Sequence, residues 1–503
     1  MNIAFRVDAS AQIGTGHLMR CLTLANALKQ HGAKIRFVSR HMPEYLRDIL
    51  VGRGHEFMLL DGSPSDTRPG SLAHSYWLGT SQHTDAEDTL HALSDQAWDW
   101  LVVDHYALDA RWETVLRKTA KNILAIDDIA DRQHDCDLLL DQNFYQDMNT
   151  RYTEKVPAHC QLLLGPRYAL LREEFRQLRE QVRPRTEPVK RILIFFGGVD
   201  AGNFTGSALE ALVSMGIADL HVDVVIGTQH PFREQLEITC AEHGIFCHVQ
   251  TTRMAELILA ADLAIGAGGS AVWERCCLGL PTLTICAADN QRKQIADAAS
   301  EGLLYAPELN DELIIGAKLH VRAFMENGYL RQAICSHGMQ AVDGRGASRV
   351  VGSLGCSDIE VRAARHDDSQ RVFEWRNHPT VRAVSRNSDM ITWENHQRWF
   401  ASVLSAIDRL LLIGQREGFP MGVVRFDIRG EEAEVSIYLV PGIQQWSGQG
   451  RDLLRSAERW FAANQPSVRA IRAHVLGGNE RSHRLFLGAG YHIESTCYSK
   501  RLH

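Results

Sequence analysis

Ile13-Gly14-Thr15-Gly16-His17-Leu18-Met19-Arg20 decides how the first part of this chain folds. The apolar run at 2–7 before it predicts a strand. Leu18, Cys21, Leu22, Ala25 and Leu28 recur at helical spacing and predict a helix after it. Two glycines and a histidine therefore sit where a strand hands over to a helix. Glycine lets the backbone turn sharply and lets a ligand approach. The first helical amides are unpaired and point at whatever binds there. A histidine at that point faces a cleft and titrates near neutral pH. The competing reading is a tight turn whose histidine caps or packs locally.

Working outward, apolar runs at 34–39, 100–106, 123–126, 138–140 and 161–164 alternate with polar helical stretches, which predicts βα units on a parallel sheet over 1–176. Residues 61–75, rich in Gly, Ser, Pro and Asp, read as a loop. The charged stretch 172–191, with Pro184 and Pro188, joins this block to a second one at 190–350. There the alternation restarts, with strands expected at 191–196, 222–227, 246–250, 263–266 and 281–285. Two such sheets in tandem invite a ligand cleft, and ligands of parallel sheets bind beyond the carboxyl ends of the strands. A third block, 358–503, follows a Gly- and Ser-rich stretch. Its pattern is α+β: a strand at 359–364, two tryptophan-bearing helices, strands at 410–415, 421–426 and 433–440, a helix at 450–463, a strand at 471–476, a short helix from 481 and a closing strand at 493–500.

At 503 residues the chain is long enough for about three domains. Its net charge of −7 gives no sign of a nucleic-acid or anionic-membrane binder. Eleven cysteines without a C-x-x-C pair read as reduced thiols of a cytoplasmic protein. The first residues read as a strand rather than a leader, and no apolar run nears 20 residues, so neither a signal peptide nor a membrane span is expected.

Two glycine turns follow strands of the second block. One is 196–205. The other, Gly268-Gly269-Ser270, opens a helix holding Trp273 and Glu274. Bare amides at a helix start, joined by a serine hydroxyl, suit a diphosphate, and a carboxylate one turn on can accept the hydroxyls of a ribose. A plain turn, with Glu274 favouring the helix start, is the alternative. Neither common nucleotide fingerprint is present.

Gly14-Thr15-Gly16-His17-x-x-Arg20, Val103-Asp104-His105-Tyr106, Ile126-Asp127-Asp128, the stretch from Asp137 to Asn143, the turn 196–205, Gly268-Gly269-Ser270-x-x-x-Glu274 and Asn290-Gln291 occur in order. Together they resemble the UDP-2,4-diacetamido-2,4,6-trideoxy-β-L-altropyranose hydrolases of pseudaminic acid biosynthesis, over roughly the first 350 residues. The resemblance implies a GT-B fold of two Rossmann-like domains. It implies UDP on Gly268, Gly269, Ser270 and Glu274, with Gln291 alongside, and the sugar near Gly14, Gly16 and His17. His17 would be the general base for water attack at the anomeric carbon, with inversion. Asp104, Tyr106, Asp127, Asp128 and Asn143 are candidates for sugar contact or for orienting His17, with strand-end capping or core hydrogen bonding as the alternative. Arg20 is read as a cleft residue touching phosphate, against a surface charge.

In the third block, Gln445-Trp446-Ser447-Gly448-Gln449-Gly450 fits the Q/R-x-x-G-x-G/A signature of the GCN5-related N-acetyltransferases, and Asn479-x-x-Ser482-x-x-Leu485-Phe486 resembles their second signature. Amides that wrap a pyrophosphate give the first its physical sense. The resemblance implies acetyl-CoA as acyl donor, with Asn479 and Ser482 along its pantetheine arm. Phe486 stands where many members carry a tyrosine acting as general acid, so the acid is unassigned among Tyr491, Tyr498, Cys497 and His483. Trp375, His396 and Glu434 are acceptor-side candidates, with packing on amphipathic helices as the alternative for Trp375 and His396.

The joint expectation is an enzyme of two consecutive steps that binds a UDP-linked amino sugar and acetyl-CoA, uses no metal and implies no obligate protein partner. The rivals are a GT-B glycosyltransferase fused to the same acetyltransferase, and a non-catalytic sensor of nucleotide sugar and acetyl-CoA.

Overall fold

The computed structural model describes every residue except 11, 61–71, 186, 288–290, 308–312, 357–358, 386, 417, 443–448, 477 and 495–503, and only the backbone of 313–315. The chain forms two compact units, Met1–Leu354 and Gly355–His503.

The first unit carries two wholly parallel sheets. The strands of the first are β1 (Asn2–Val7), β2 (Lys34–Ser39), β3 (Glu56–Leu59), β4 (Trp98–Asp104), β5 (Ala120–Ile126), β6 (Leu138–Asp141) and β7 (Gln161–Leu164), in the order β3-β2-β1-β4-β5-β6-β7. The chain steps outward from β1 to β2, then returns to lay β4 on its other side. This is the switch point, where a crevice opens beyond the carboxyl ends of the strands. Val7 and Asp104, the last residues of β1 and β4, are register partners. Strand β3 is absent from the sequence reading although Phe57, Met58 and Leu59 are apolar; it is a short edge strand and largely exposed.

The second sheet repeats the plan with β8 (Arg191–Phe195), β9 (His221–Ile226), β10 (Phe246–Val249), β11 (Leu263–Ala267) and β12 (Thr282–Ile285), ordered β10-β9-β8-β11-β12. Both glycine turns leave the switch-point strands, one after β8 and one after β11. The two Rossmann-like sheets make a GT-B unit.

The joining stretch is more than a connector. Phe175, on helix Glu173–Arg179, is fully buried with Trp273 and Leu257. The Arg179 guanidinium donates to the carbonyls of Cys277, Val342 and Met339. The charges suggest solvent, but they satisfy buried helix ends. Helix Gly346–Ser353 packs back on helix Gly16–Gln30, and a Cβ on Gly346 would lie 2.1 Å from the Ala169 carbonyl oxygen. Backbone cannot yield as a side chain does. Gly346→Ala should cost this unit about 1–3 kcal/mol; an unchanged onset of thermal unfolding would contradict this packing.

In the second unit β13 (Glu360–Ala363), β14 (Arg409–Arg416), β15 (Phe419–Arg429) and β16 (Glu432–Leu439) are antiparallel in order, and β17 (Ala470–Ala473) lies parallel to β16. Helix Gln449–Asn464 packs one face through Leu453, Leu454, Ala457 and Phe461. Helices Ser369–Asn377 and Trp393–Ser405 pack the other through Val372, Phe400 and Val403. Residues 491–494 form no strand, and the rest of the expected closing strand lies outside the described residues.

Candidate active sites

Helix Gly16–Gln30 begins without a side-chain cap and with no acidic residue in its first turn. Gly14 holds φ +77, and a Cβ on Gly14 or Gly16 would meet open space. These glycines leave room rather than fill a tight contact. His17 follows at once. Its Nδ1 lies 2.6 Å from Asp104 Oδ1, and the side chain is 11% exposed. A carboxylate only accepts, so Nδ1 carries the proton toward Asp104, and a neutral ring then has its lone pair on Nε2.

Asp104 is fixed from the other side by Arg20, whose Nε donates to Oδ2 and Nη2 to Oδ1, at 2.6 and 2.7 Å. Burial pushes this carboxyl up, but the Arg20 guanidinium, with His17, holds it well below the usual carboxylate range. Arg20 Nη1 donates to Asp128 at 2.8 Å, and Tyr106 donates its hydroxyl to the same carboxylate. The Tyr106 ring stands edge-on to His17 at 4.7 Å. This corrects one expectation: Arg20 is 7% exposed and its fork is occupied by two carboxylates, so it braces Asp104 rather than reaching for phosphate.

Asn143 needs correcting too. Its Oδ1 accepts from Trp273 Nε1 at 2.9 Å and Gln294 Nε2 at 3.1 Å, all three side chains being buried. It ties the first sheet to the second and does not offer this oxygen to a sugar. Sequence reasoning missed His74 and Trp77, which extend the aromatic wall beside His17. Trp77 stacks on Tyr106 at 5.5 Å, and His74 lies 4.5 Å from Trp77. The pair Tyr76-Trp77, just after the Gly- and Ser-rich loop, was the available signal.

Asp127 belongs to the floor beneath, fully buried between Arg132 and His134. Burial pushes His134 down, but Glu113 and Asp127 raise it to about 9, above the ~6.5 of an unfolded histidine. Its contribution to stability is therefore complete below pH ~6.5 and is lost as the pH rises through about 9. The urea midpoint of the protein should fall between pH 6.5 and 9.5, and His134→Asn should flatten that slope. An equal slope in both proteins would remove His134 as its source.

The two glycine turns of the second sheet differ. Asp200 accepts from the amides of Phe204 and Thr205, and Asn203 from that of Gly206, so the helix after β8 is capped by its own chain. The turn after β11 has no side-chain cap, and Gly269 holds φ +79. Gln291 lies over it: a Cβ would stand 3.1 Å from its Oε1 at Gly268 and 3.4 Å from its Nε2 at Gly269. That buried Oε1 has no hydrogen-bond partner among the described residues. Glu274 is half-buried, 4.0 Å from Arg172, and burial raises its carboxyl. The structure thus gathers Gly268, Gly269, Ser270, Glu274 and Gln291 at one turn. Asn290 lies outside the described residues.

In the second unit, Gln445, Trp446, Ser447 and Gly448 lie outside the described residues. Gly450 opens helix Gln449–Asn464, where a Cβ would stand 2.6 Å from Leu485 Cδ1. It admits helix Glu480–Gly488, whose N-terminus Asn479 caps by accepting from the Ser482 amide. Pairing of β16 with β17 ends at Val435–Ala473, while β16 continues to Leu439. Gln449 Nε2 and Arg451 Nε, at the helix start, are buried without a partner among the described residues, which suits a polar ligand there. Glu434 sits in the last paired part of β16, opposite Arg472 of β17.

Two acetyltransferase candidates read differently in three dimensions. His396 is 1% exposed, and its Nε2 lies 2.8 Å from the Ser369 carbonyl. Enclosed by Phe373, Trp393 and Phe400, it is a core histidine and cannot touch an acceptor. Trp375 packs half-buried against the same core. Tyr491, one of the candidate acids, donates its hydroxyl to Glu458 at 2.6 Å.

Residues 358–492 match the profile of the family described as Acetyltransferase (GNAT) domain. The chain is 22% identical to an uncharacterized protein of Methanocaldococcus jannaschii, over 98% of this chain and 96% of that one. It is 26% identical to the UDP-2,4-diacetamido-2,4,6-trideoxy-beta-L-altropyranose hydrolase of Campylobacter jejuni, over 60% of this chain and 97% of that protein. Among solved structures, MurG of Acinetobacter baumannii compares with a TM-score of 0.48 at 13% identity, covering 70% of this chain and 98% of that chain. The carboxyl-terminal unit therefore holds a GNAT acetyltransferase domain, with acetyl-CoA as donor. The chain joins it to a homologue of the Campylobacter hydrolase. Among the described residues no His, Cys, Asp and Glu side chains group to hold a metal ion, and no helix is long and apolar enough to cross a membrane.

Proposed function

We propose that this protein carries out two consecutive steps on a UDP-linked amino sugar. The GNAT domain transfers the acetyl group of acetyl-CoA to the 4-amino group of UDP-4-amino-4,6-dideoxy-N-acetyl-β-L-altrosamine. The amine forms the amide bond, the thioester C–S bond breaks, and coenzyme A leaves as the thiol. The GT-B unit then hydrolyses the product, UDP-2,4-diacetamido-2,4,6-trideoxy-β-L-altropyranose, to UDP and the free sugar.

The observation that carries the hydrolytic reading is the 2.6 Å contact of His17 Nδ1 with Asp104 at the switch point of the first sheet. Water attacks the anomeric carbon from the face opposite the leaving UDP, which inverts that centre. His17 Nε2 takes the proton, and Asp104 stabilises the imidazolium as it forms, the logic by which a carboxylate orients a catalytic histidine. UDP is already a good leaving group and needs charge stabilisation more than protonation. The uncapped turn at Gly268, Gly269 and Ser270, with Gln291 above it, supplies donors without reorganisation. Glu274 would take the ribose hydroxyls.

Mass spectrometry tests both steps. The UDP-4-amino sugar is incubated with the protein, with and without acetyl-CoA. Acetylated nucleotide should appear only with acetyl-CoA, followed by free diacetamido sugar and UDP in equal amounts. Release that requires a second sugar acceptor would replace hydrolysis by glycosyl transfer.

A further inference from the structure

On the face of the GNAT sheet away from helix Gln449–Asn464, three arginines converge. Val423 and Tyr438 are register partners on β15 and β16 and pack in the core cluster of that face. Arg425, two residues from Val423, projects to the same side. Arg376 comes from helix Ser369–Asn377, and Arg382 ends the short helix that follows it, Pro379–Arg382. Arg376 feels the charges of Arg382 and Arg425, and Tyr438 feels those of Arg376 and Arg425.

Arg376 and Arg382 pair with no carboxylate among the described residues. Arg425 Nη2 pairs with Asp427 at 2.9 Å, a carboxylate that also faces Arg409 at 3.7 Å. Arg376 donates from Nη2 to the Asn387 carbonyl. Arg376 Nη1, Arg382 Nε and Arg425 Nε are buried with no hydrogen-bond partner among the described residues. Burial pushes the Tyr438 hydroxyl up despite the neighbouring guanidiniums, so it is a donor. Like charges drawn together out of water are costly unless an anion joins them, and guanidinium forks match phosphate oxygens in pairs.

We propose that Arg376, Arg382 and Arg425, with the Tyr438 hydroxyl, hold the diphosphate of a nucleoside-diphosphate-linked acceptor. This rests on the reading that the acetylated amine belongs to a UDP-linked sugar. The site lies across the sheet from the helix that opens at Gly450, so it is separate from the site expected for the coenzyme's phosphates. Tyr438 also lies on the stretch of β16 that β17 leaves unpaired.

The test uses the full chain. Calorimetric titration with UDP should find one equivalent more in the wild type than in the double variant Arg382→Gln/Arg425→Gln. The KM for the UDP-4-amino sugar should rise about 10- to 100-fold in Arg382→Gln, with Arg382→Lys between the two and the acetyl-CoA KM unmoved. Equal UDP equivalents in wild type and variant would overturn the site. An acetyl-CoA KM that rises with the acceptor KM would give it to the coenzyme. The single variant removes a side chain with no hydrogen bond among the described residues, so it keeps the test open if the double variant unfolds. If the wild type fails to acetylate the UDP-4-amino sugar yet loses a UDP equivalent in the variants, the acceptor reading falls and the anion site stands. If it acetylates that sugar with a KM indifferent to Arg382, the site falls and the acceptor reading stands.

Discussion

His17→Ala should slow UDP release from UDP-2,4-diacetamido-2,4,6-trideoxy-β-L-altropyranose by about 10²–10⁴-fold, the usual worth of a positioned general base. UDP affinity should stay nearly intact, because the proposed nucleotide site is the turn after β11 whereas the histidine follows β1. The division matters for interpretation. A base acts only in the transition state, so its loss lowers kcat, whereas loss of a binding group raises KM. Turnover followed by UDP release, beside UDP titration of the same preparation, reads both. Hydrolysis near the wild-type rate would remove His17 from the mechanism and leave water activation to another group.

Asp85→Asn should cost the amino-terminal unit about 3–5 kcal/mol, the range for breaking a buried ion pair from one side. Asp85 is fully buried and accepts from Arg6 Nε and Nη2, from Arg40 Nε and from the Trp112 indole. Asp8 takes the other edge of Arg6, at 2.7 and 3.1 Å. Asparagine would leave Arg6 with Asp8 alone and Arg40 with the partly exposed Asp88, and would turn an amide donor toward both guanidiniums. Arg36 with Asp95 offers the contrast. The chemistry is the same, at 2.7 Å, but the Asp95 side chain is 56% exposed, so Asp95→Asn should cost under about 1 kcal/mol. Urea denaturation of both variants makes the comparison. Equal midpoints would mean that the buried network contributes no more than a surface pair.

Much of the fold is legible in the chain because its signals are local. The apolar runs of β1, β2, β4 and β5 are strands buried on both faces, which read as continuous rather than alternating. Leu18, Cys21, Leu22, Ala25 and Leu28 all lie on the buried side of helix Gly16–Gln30. Strand β3 escaped although Phe57, Met58 and Leu59 are apolar, because only the sheet order shows that this short run is an exposed edge strand. The joining stretch looked like a tether because Arg179 and Arg185 are charged, yet both guanidiniums donate to backbone carbonyls.

The sites were legible in outline. His17 and the turn Gly268-Gly269-Ser270 stand out because glycines at a helix start leave bare amides that a ligand can approach. The roles around them did not follow, since Arg20, Asn143 and His396 are polar residues whose meaning depends on what faces them. Arg20 meets two carboxylates, Asn143 meets an indole from the other sheet, and His396 meets a ring of aromatics.

The order of residues alone determined two α/β blocks and one α+β block, a histidine at the first strand-to-helix turn and glycine turns at two later helix starts, for these depend on periodicity and on backbone freedom over a few neighbouring residues. Tertiary structure alone decided that Asp104, 87 residues on, holds His17, that Arg6 and Arg40 are buried with Asp85, and that three arginines of the GNAT domain share one face. Strand order and the helices packed on each sheet bring those groups together, and both are set by packing of the whole domain, to which no short stretch of chain has access.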